Sequence, residues 1–236
     1  MNATATDGAS AGGPGLRDPL VRALLALTFT TGLIDAASYL GLGHVFSANM
    51  TGNVVLLGFG IAGAGGLPVV SPIVALIAFL VGAGIGGHLA RELGSRRKAF
   101  VATIAVEASL VGASALIALV HVRTNRVSGD VVVGLLALAM GARNATVRRL
   151  GVPDLTTTVL TMTLTGLTAD WSMKGGFGSG GTRRLAAVLA MLSGAVVGAL
   201  ALKTSVALPL AVAAGLALLV GLLQPLPKQV PNSANR

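Results

Sequence analysis

The chain has no cysteine, one tryptophan, one tyrosine and only eight acidic residues among 236. Without thiols there is no disulfide framework, no thiolate nucleophile and no cysteine-ligated metal. Aromatic residues make up 3%, too few to stack bases, so the formal net charge of +9 does not read as a nucleic-acid surface. His44, His88 and His121 show no paired metal-ligand spacing, and no set of serine, histidine and acid is identifiable. Neither a metal nor a cofactor is expected, and an enzyme is disfavoured for want of a nucleophile with its base. Charge of any sign is scarce, at 11% of residues against roughly 25% in a soluble domain.

What the chain does have is apolar sequence: 53% hydrophobic residues, with a mean hydropathy of +0.83. That composition specifies an integral membrane protein whose first partner is the lipid bilayer. The 33 glycines suit helices that approach closely in lipid, within one chain or between copies in a homo-oligomer. Apolar stretches near the ~20 residues a helix needs to cross run over 20–42, 70–90, 99–121, 130–147, 184–203 and 205–223. Two further segments, 45–66 and 154–171, are rich in hydroxyls or carboxamides and read as interrupted or re-entrant. The expected fold is an all-α integral membrane protein of about six spanning helices plus these two broken segments. One transmembrane domain, 20–223, lies between a disordered N-terminal tail, 1–19, and a C-terminal tail, 224–236.

Basic residues supply the topology. With six crossings and an inside N-terminus, 14 of the 17 Lys and Arg fall on the inner side, Arg143 among them, and Arg123, Arg126 and Lys203 remain outside. If 45–66 also crosses the split is 12 to 5, and if both doubtful segments cross it is 9 to 8. Positive-inside asymmetry therefore favours six spans with cytoplasmic termini. The halves 20–121 and 130–223 also resemble one another. Gly32-Leu-Ile-Asp35-Ala36 is echoed by Gly141-Ala-Arg-Asn144-Ala145, and Phe79-Leu-Val-Gly82-Ala-Gly-Ile-Gly86 by Met191-Leu-Ser-Gly194-Ala-Val-Val-Gly198. Such an internal repeat is inverted when each half crosses three times.

Polar groups deep in membrane-type sequence mark the functional region, because they are costly there unless they face a partner, a cavity or water. Thr28, Thr31, Asp35 and Ser38 form one helical stripe, and Asn49, Thr51 and Asn53 follow a glycine-marked break. Asn144 is the counterpart of Asp35, and Thr157 and Thr161 lie in the second hydroxyl-rich segment. These residues are the candidate solute-binding or pathway set: Asp35, Asn49, Thr51, Asn53, Asn144, Thr157 and Thr161. Glu107 is the second intramembrane acid, with Thr103 and Ser114 at helical spacing. Each has a structural alternative: a carboxyl satisfied by a neighbouring helix, an N-cap at Asn49, threonines bonded to their own helix carbonyls.

Three blocks carry a family resemblance: Gly32 to Ala36; Val45-Phe-Ser-Ala-Asn-Met-Thr-Gly-Asn53; and Gly141 to Ala145 leading through Arg148-Arg-Leu-Gly-Val-Pro153 to Thr156, Thr157 and Thr158. In these the chain resembles the YoaK-like family of bacterial multi-span membrane proteins, a family of unknown function. The resemblance implies a bacterial inner-membrane helical protein and brings no substrate or reaction. The first functional expectation is a small-solute transporter or channel with a midplane polar site. The alternative is a non-transporting scaffold or regulatory partner acting through its glycine faces.

Overall fold

The computed structural model describes residues 15–120, 126–150, 161, 163–166, 168 and 179–223. Thr157 and most of the two expected tails lie outside the described residues. Among the described residues seven α-helices have both ends defined: α1 Pro19–Gly41, α2 Met50–Ile61, α3 Val70–Glu92, α4 Arg96–Val120, α5 Arg126–Leu150, α6 Ser179–Ala201 and α7 Ala207–Leu223. The described residues include no strand. Among the described residues five helices (α1, α3, α4, α5 and α6) are long and apolar enough to cross a membrane, and α7 is a shorter apolar helix of 17 residues. The chain is an all-helical, multi-pass membrane protein.

Contacts fix the helix directions. Ser71 at the start of α3 bonds Asp130 at the start of α5 (2.5 Å), while Gly82 and Gly86 pack on Leu138 and Ala142, so these helices run parallel. Helices α1 and α6 are likewise parallel, with Gly194 on Phe29 and Gly198 on Leu33. Helix α4 opposes α5, since Thr103 meets Thr146 and Glu107 meets Arg143. Helix α7 opposes both α1, through Val206 against Gly41, and α4, through Gly221 against Ile104 and Ala214 against Gly112. It follows that α1, α4 and α6 start at one end of the bundle and α3, α5 and α7 start at the other.

Arg17, Arg22, Arg91, Arg96, Arg97, Lys98, Arg148, Arg149, Arg183 and Arg184 all lie near helix termini at the first end, the basic end, while Lys203 lies at the opposite end. Arg143 departs from the charge reading above. It is fully buried within α5, about two turns from its end, and is not a surface topology charge.

Helices α1 and α5 are central and α3 and α6 peripheral. In their most apolar stretches 72% and 61% of α1 and α5 is buried, against 17% in both α3 and α6. The outer helices turn Ile77, Leu80 and Ile85, or Leu189, Leu192 and Val196, outward, as lipid-facing surfaces do.

Two glycine crossings use matching residues. A Cβ on Gly141 would collide with the Phe79 carbonyl and Ala83 amide, and one on Gly32 with the Met191 carbonyl and Ala195 amide. From the other side, Gly82 abuts the Leu138 carbonyl and Gly194 the Phe29 carbonyl. Only glycine permits this backbone approach, and it places the shared Gly-Ala-x-x-Gly faces inside the chain.

Helix α1 begins at Pro19, with the Asp18 carboxylate accepting the Leu20 N–H at 2.7 Å. It ends where Gly43 (φ 112°) and His44 (φ 60°) reverse the chain. Residues 45–48 then turn back along α1, and α2 returns toward the start of α3 at the same end of the bundle. With 12 residues, or about 18 Å, α2 is too short to span, so 42–69 enters and leaves by one end.

Candidate functional site

The re-entrant turn is held by side chains that stand in for a backbone partner. Asp35 Oδ1, one and a half turns before the end of α1, accepts the N–H groups of Ser47 (3.0 Å) and Ala48 (2.9 Å). Asn53, fully buried, accepts the Phe46 N–H at 2.8 Å and donates to the Phe46 carbonyl at 2.6 Å. These pairings satisfy backbone groups that hydrocarbon cannot. Phe46 stacks on Tyr39 with ring centroids 4.6 Å apart. A Cβ on Gly52 would stand 2.9 Å from the Phe46 ring.

The remaining sequence candidates divide. Asn49 is exposed and caps α2, accepting the Gly52 N–H at 3.2 Å. Thr51 and Thr161 are both exposed on the bundle surface, and Asn144 is partly buried. Thr28 and Ser38 bond back to the carbonyls of Leu24 and Asp35. Among the described residues, the buried polar core therefore draws Thr31, Asp35, Asn53 and Glu107 from the candidates and leaves Asn49, Thr51 and Thr161 outside.

At the centre lies a side chain the sequence reading assigned only to topology. Arg143 Nη1 is 2.7 Å from Glu107 Oε1, with relative exposures of 0% and 1%. Nη1 also donates to Thr30 Oγ1 at 3.2 Å, and Nη2 donates to Thr31 Oγ1 and lies 3.1 Å from Met140 Sδ. The two threonine hydroxyls give their own protons to the Leu27 carbonyl, so their lone pairs are free for the guanidinium. Asp35 stands one helical turn beyond Thr31, the hydroxyl to which Arg143 donates. Glu107 Oε2 and Arg143 Nε find no hydrogen-bond partner among the described residues.

Three ionisable groups thus share a buried region between α1, α4 and α5: two carboxylates and one guanidinium. With all three ionised the cluster carries one uncompensated negative charge, and binding one proton or one cation neutralises it. Burying an unpaired charge is costly, so such a cluster responds to whatever neutralises it.

A cavity at the basic end stops one helical turn short of this cluster. It has a volume of about 320 Å³ and opens between α3, α4 and α5, lined by Ala90, Gly94, Arg96, Thr146, Arg149 and Leu150. Thr146 hydrogen-bonds Thr103 at 2.9 Å. Thr146 is three residues beyond Arg143, and Thr103 four before Glu107, so the ion pair lies one helical turn deeper.

Comparison with known proteins gives the lineage. A curated relative, the UPF0700 transmembrane protein YoaK of Bacillus subtilis (strain 168), is 33% identical over 151 residues. The match covers 63% of this chain and spans 66% of that relative's length. No solved structure matches. Residues 23–223, from the second turn of α1 to the end of α7, match the family described as protein of unknown function (DUF1275), and the chain belongs to that family.

Proposed function

We propose that this protein moves a small polar solute across the cell membrane and is built from two inverted halves, 20–121 and 130–223. The observation that carries the transport reading is the buried Arg143–Glu107 pair, with buried Asp35 one helical turn from the Thr31 that Arg143 bonds, inside spanning helices and one turn below a cavity that opens at one end. Structural stability alone is a poor reason for such a cluster, because apolar residues of similar volume serve as well or better. Asp35 and Glu107 are the coupling carboxylates, Arg143 is their counter-ion, and Thr146, hydrogen-bonded to Thr103, lines the approach.

The matching glycine crossings support the inverted halves. Helix α5 corresponds to α1 and α6 to α3, yet α1 packs on α6 and α5 on α3, so each half lends its first helix to the other. Helices α1 and α5 are antiparallel, as Arg143 beside Thr30 and Gly129 beside Leu42 require. Intramembrane breaks and buried polar sites at repeat interfaces are the architecture of many secondary transporters. Both described ends, near Arg17 and Leu223, lie at the basic end, the cytoplasmic side by the distribution of Lys and Arg. The chemistry is movement, not covalent catalysis.

Reconstitution tests this. Purified protein in proteoliposomes is assayed for uptake of anionic, cationic and neutral solutes under an imposed pH gradient, beside Asp35→Asn and Glu107→Gln. Asparagine retains an acceptor oxygen for the Ser47 and Ala48 amides but cannot ionise. Flux that requires the native acids supports the reading. Flux indifferent to both substitutions removes the coupling roles, and absence of flux across the panel removes transport of these solute classes.

A further inference from the structure

The register set by the shared motifs carries the correspondence of the two halves out to their helix ends. The motif alignment places α5 109 positions after α1 and α6 112 positions after α3. Carried to the cavity at the basic end, it pairs Ala90 with Leu202, Gly94 with Val206 and Leu150 with Gly41. At the basic end these positions line open space. At the opposite end they touch: a Cβ on Gly41 would lie 3.0 Å from Val206 Cγ2 and 3.2 Å from Leu202 Cδ2.

The lining differs in kind too. The open end carries Arg96 and Arg149, and the counterpart of Arg149 is Leu40. Thr146, which joins the open end to the ion-pair region, corresponds to Ala37, a fully buried residue of the apolar core. The shut end is an apolar contact of α1 against the α6–α7 junction. The open end is a basic vestibule of α5 against the α3–α4 junction.

Resting on the transport reading, we infer that these are one structural position in two states, and that solute passage exchanges them. Closure of Leu150 onto Ala90 and Gly94 accompanies separation of Gly41 from Leu202 and Val206. Helix α4 faces α7, its own counterpart, and the Gly32/Gly194 and Gly82/Gly141 crossings act as paired pivots. Their interlocked glycines keep helix pairs together while the ends part. Such an exchange brings the central cluster into contact with each side in turn without a continuous pore.

The absence of native cysteine makes the test direct. In membranes bearing the full chain, Ala90→Cys with Leu150→Cys is treated with a short reducible thiol cross-linker, and Gly41→Cys with Leu202→Cys is treated in parallel. A minor state populated at about 0.1–10% predicts cross-linking of the first pair roughly 10- to 1000-fold slower than that of the second.

Because Gly41→Cys disturbs a tight contact, the decisive variant keeps that glycine: Ala90→Cys, Leu150→Cys and Leu202→Cys together. Linking 90 to 150 should raise maleimide labelling at 202 about tenfold or more, and reduction should reverse it. Failure of the 90–150 pair to link, or linkage without exposure of 202, overturns the exchange whatever the flux assay shows. If the ends exchange while no solute in the panel moves, the exchange stands and the small-solute reading fails.

Discussion

Arg143 of α5 and Glu107 of α4 meet at 2.7 Å with neither side chain open to solvent, and the glutamate's second oxygen has no hydrogen-bond partner among the described residues. Removing one partner strands the other charge in a medium that cannot solvate it. Arg143→Met or Glu107→Leu alone should each cost about 3–5 kcal/mol, whereas the double variant should cost clearly less than the sum. Thermal unfolding of the four proteins in one detergent measures this. Additive losses would mean that the two charges are not coupled.

The glycine crossings make a prediction with its own control. Gly82→Leu or Gly194→Leu drives a side chain into the backbone of a neighbouring helix and should destabilise by at least about 1–3 kcal/mol. Gly84→Ala and Gly58→Ala, where a Cβ meets nothing within 4 Å, should be neutral or slightly stabilising. Melting in detergent separates the two classes, and equal effects would contradict the close approach.

Membrane class, the helix bundle and the two small-residue Gly-Ala-x-x-Gly faces were legible in the sequence because composition and small-residue spacing are local signals; that these faces meet Gly141 and Gly32 was not, because it depends on which helices are neighbours. The packing of Gly86 and Gly198 agrees with the shared Gly-Ala-x-x-Gly pattern. Arg143 was misread for a physical reason. One arginine seven residues from a helix end serves a topology rule as well as a buried pair, and only the facing Glu107, 36 residues earlier, separates the two. Asn49 and Asn53 look alike in sequence. Yet one caps α2 at the surface and the other clasps Phe46, because a reversal at Gly43 and His44 sets which carboxamide faces inward.

The re-entrant turn depends on two side chains, so it should loosen by itself. Asn53→Ala leaves the Phe46 N–H and carbonyl unpaired and should cost about 1–3 kcal/mol. Asp35→Ala should free the Ser47 and Ala48 amides in the same way, while Asp35→Asn should retain them. Amide hydrogen exchange over residues 46–48 reports this directly. Unchanged protection in both alanine variants would show that the turn is held by other contacts.

The orientation of the bundle follows from where its guanidinium and ammonium groups sit. Arg91, Arg96, Arg97 and Lys98 flank the turn between α3 and α4, and Arg148, Arg149, Arg183 and Arg184 lie at the same end, where a cytoplasmic leaflet and the positive-inside rule would hold them. Ser95 lies in that turn, and Ser128 in the first turn of α5 at the opposite end. With no native thiol to interfere, Ser128→Cys should react with an impermeant maleimide in intact cells, and Ser95→Cys only after permeabilisation. The two positions are separated by the length of a spanning helix, so no local fluctuation exchanges their exposure. The reverse labelling pattern would turn the molecule over, placing the basic vestibule and its cavity outside and opening the Arg143 cluster first to the exterior.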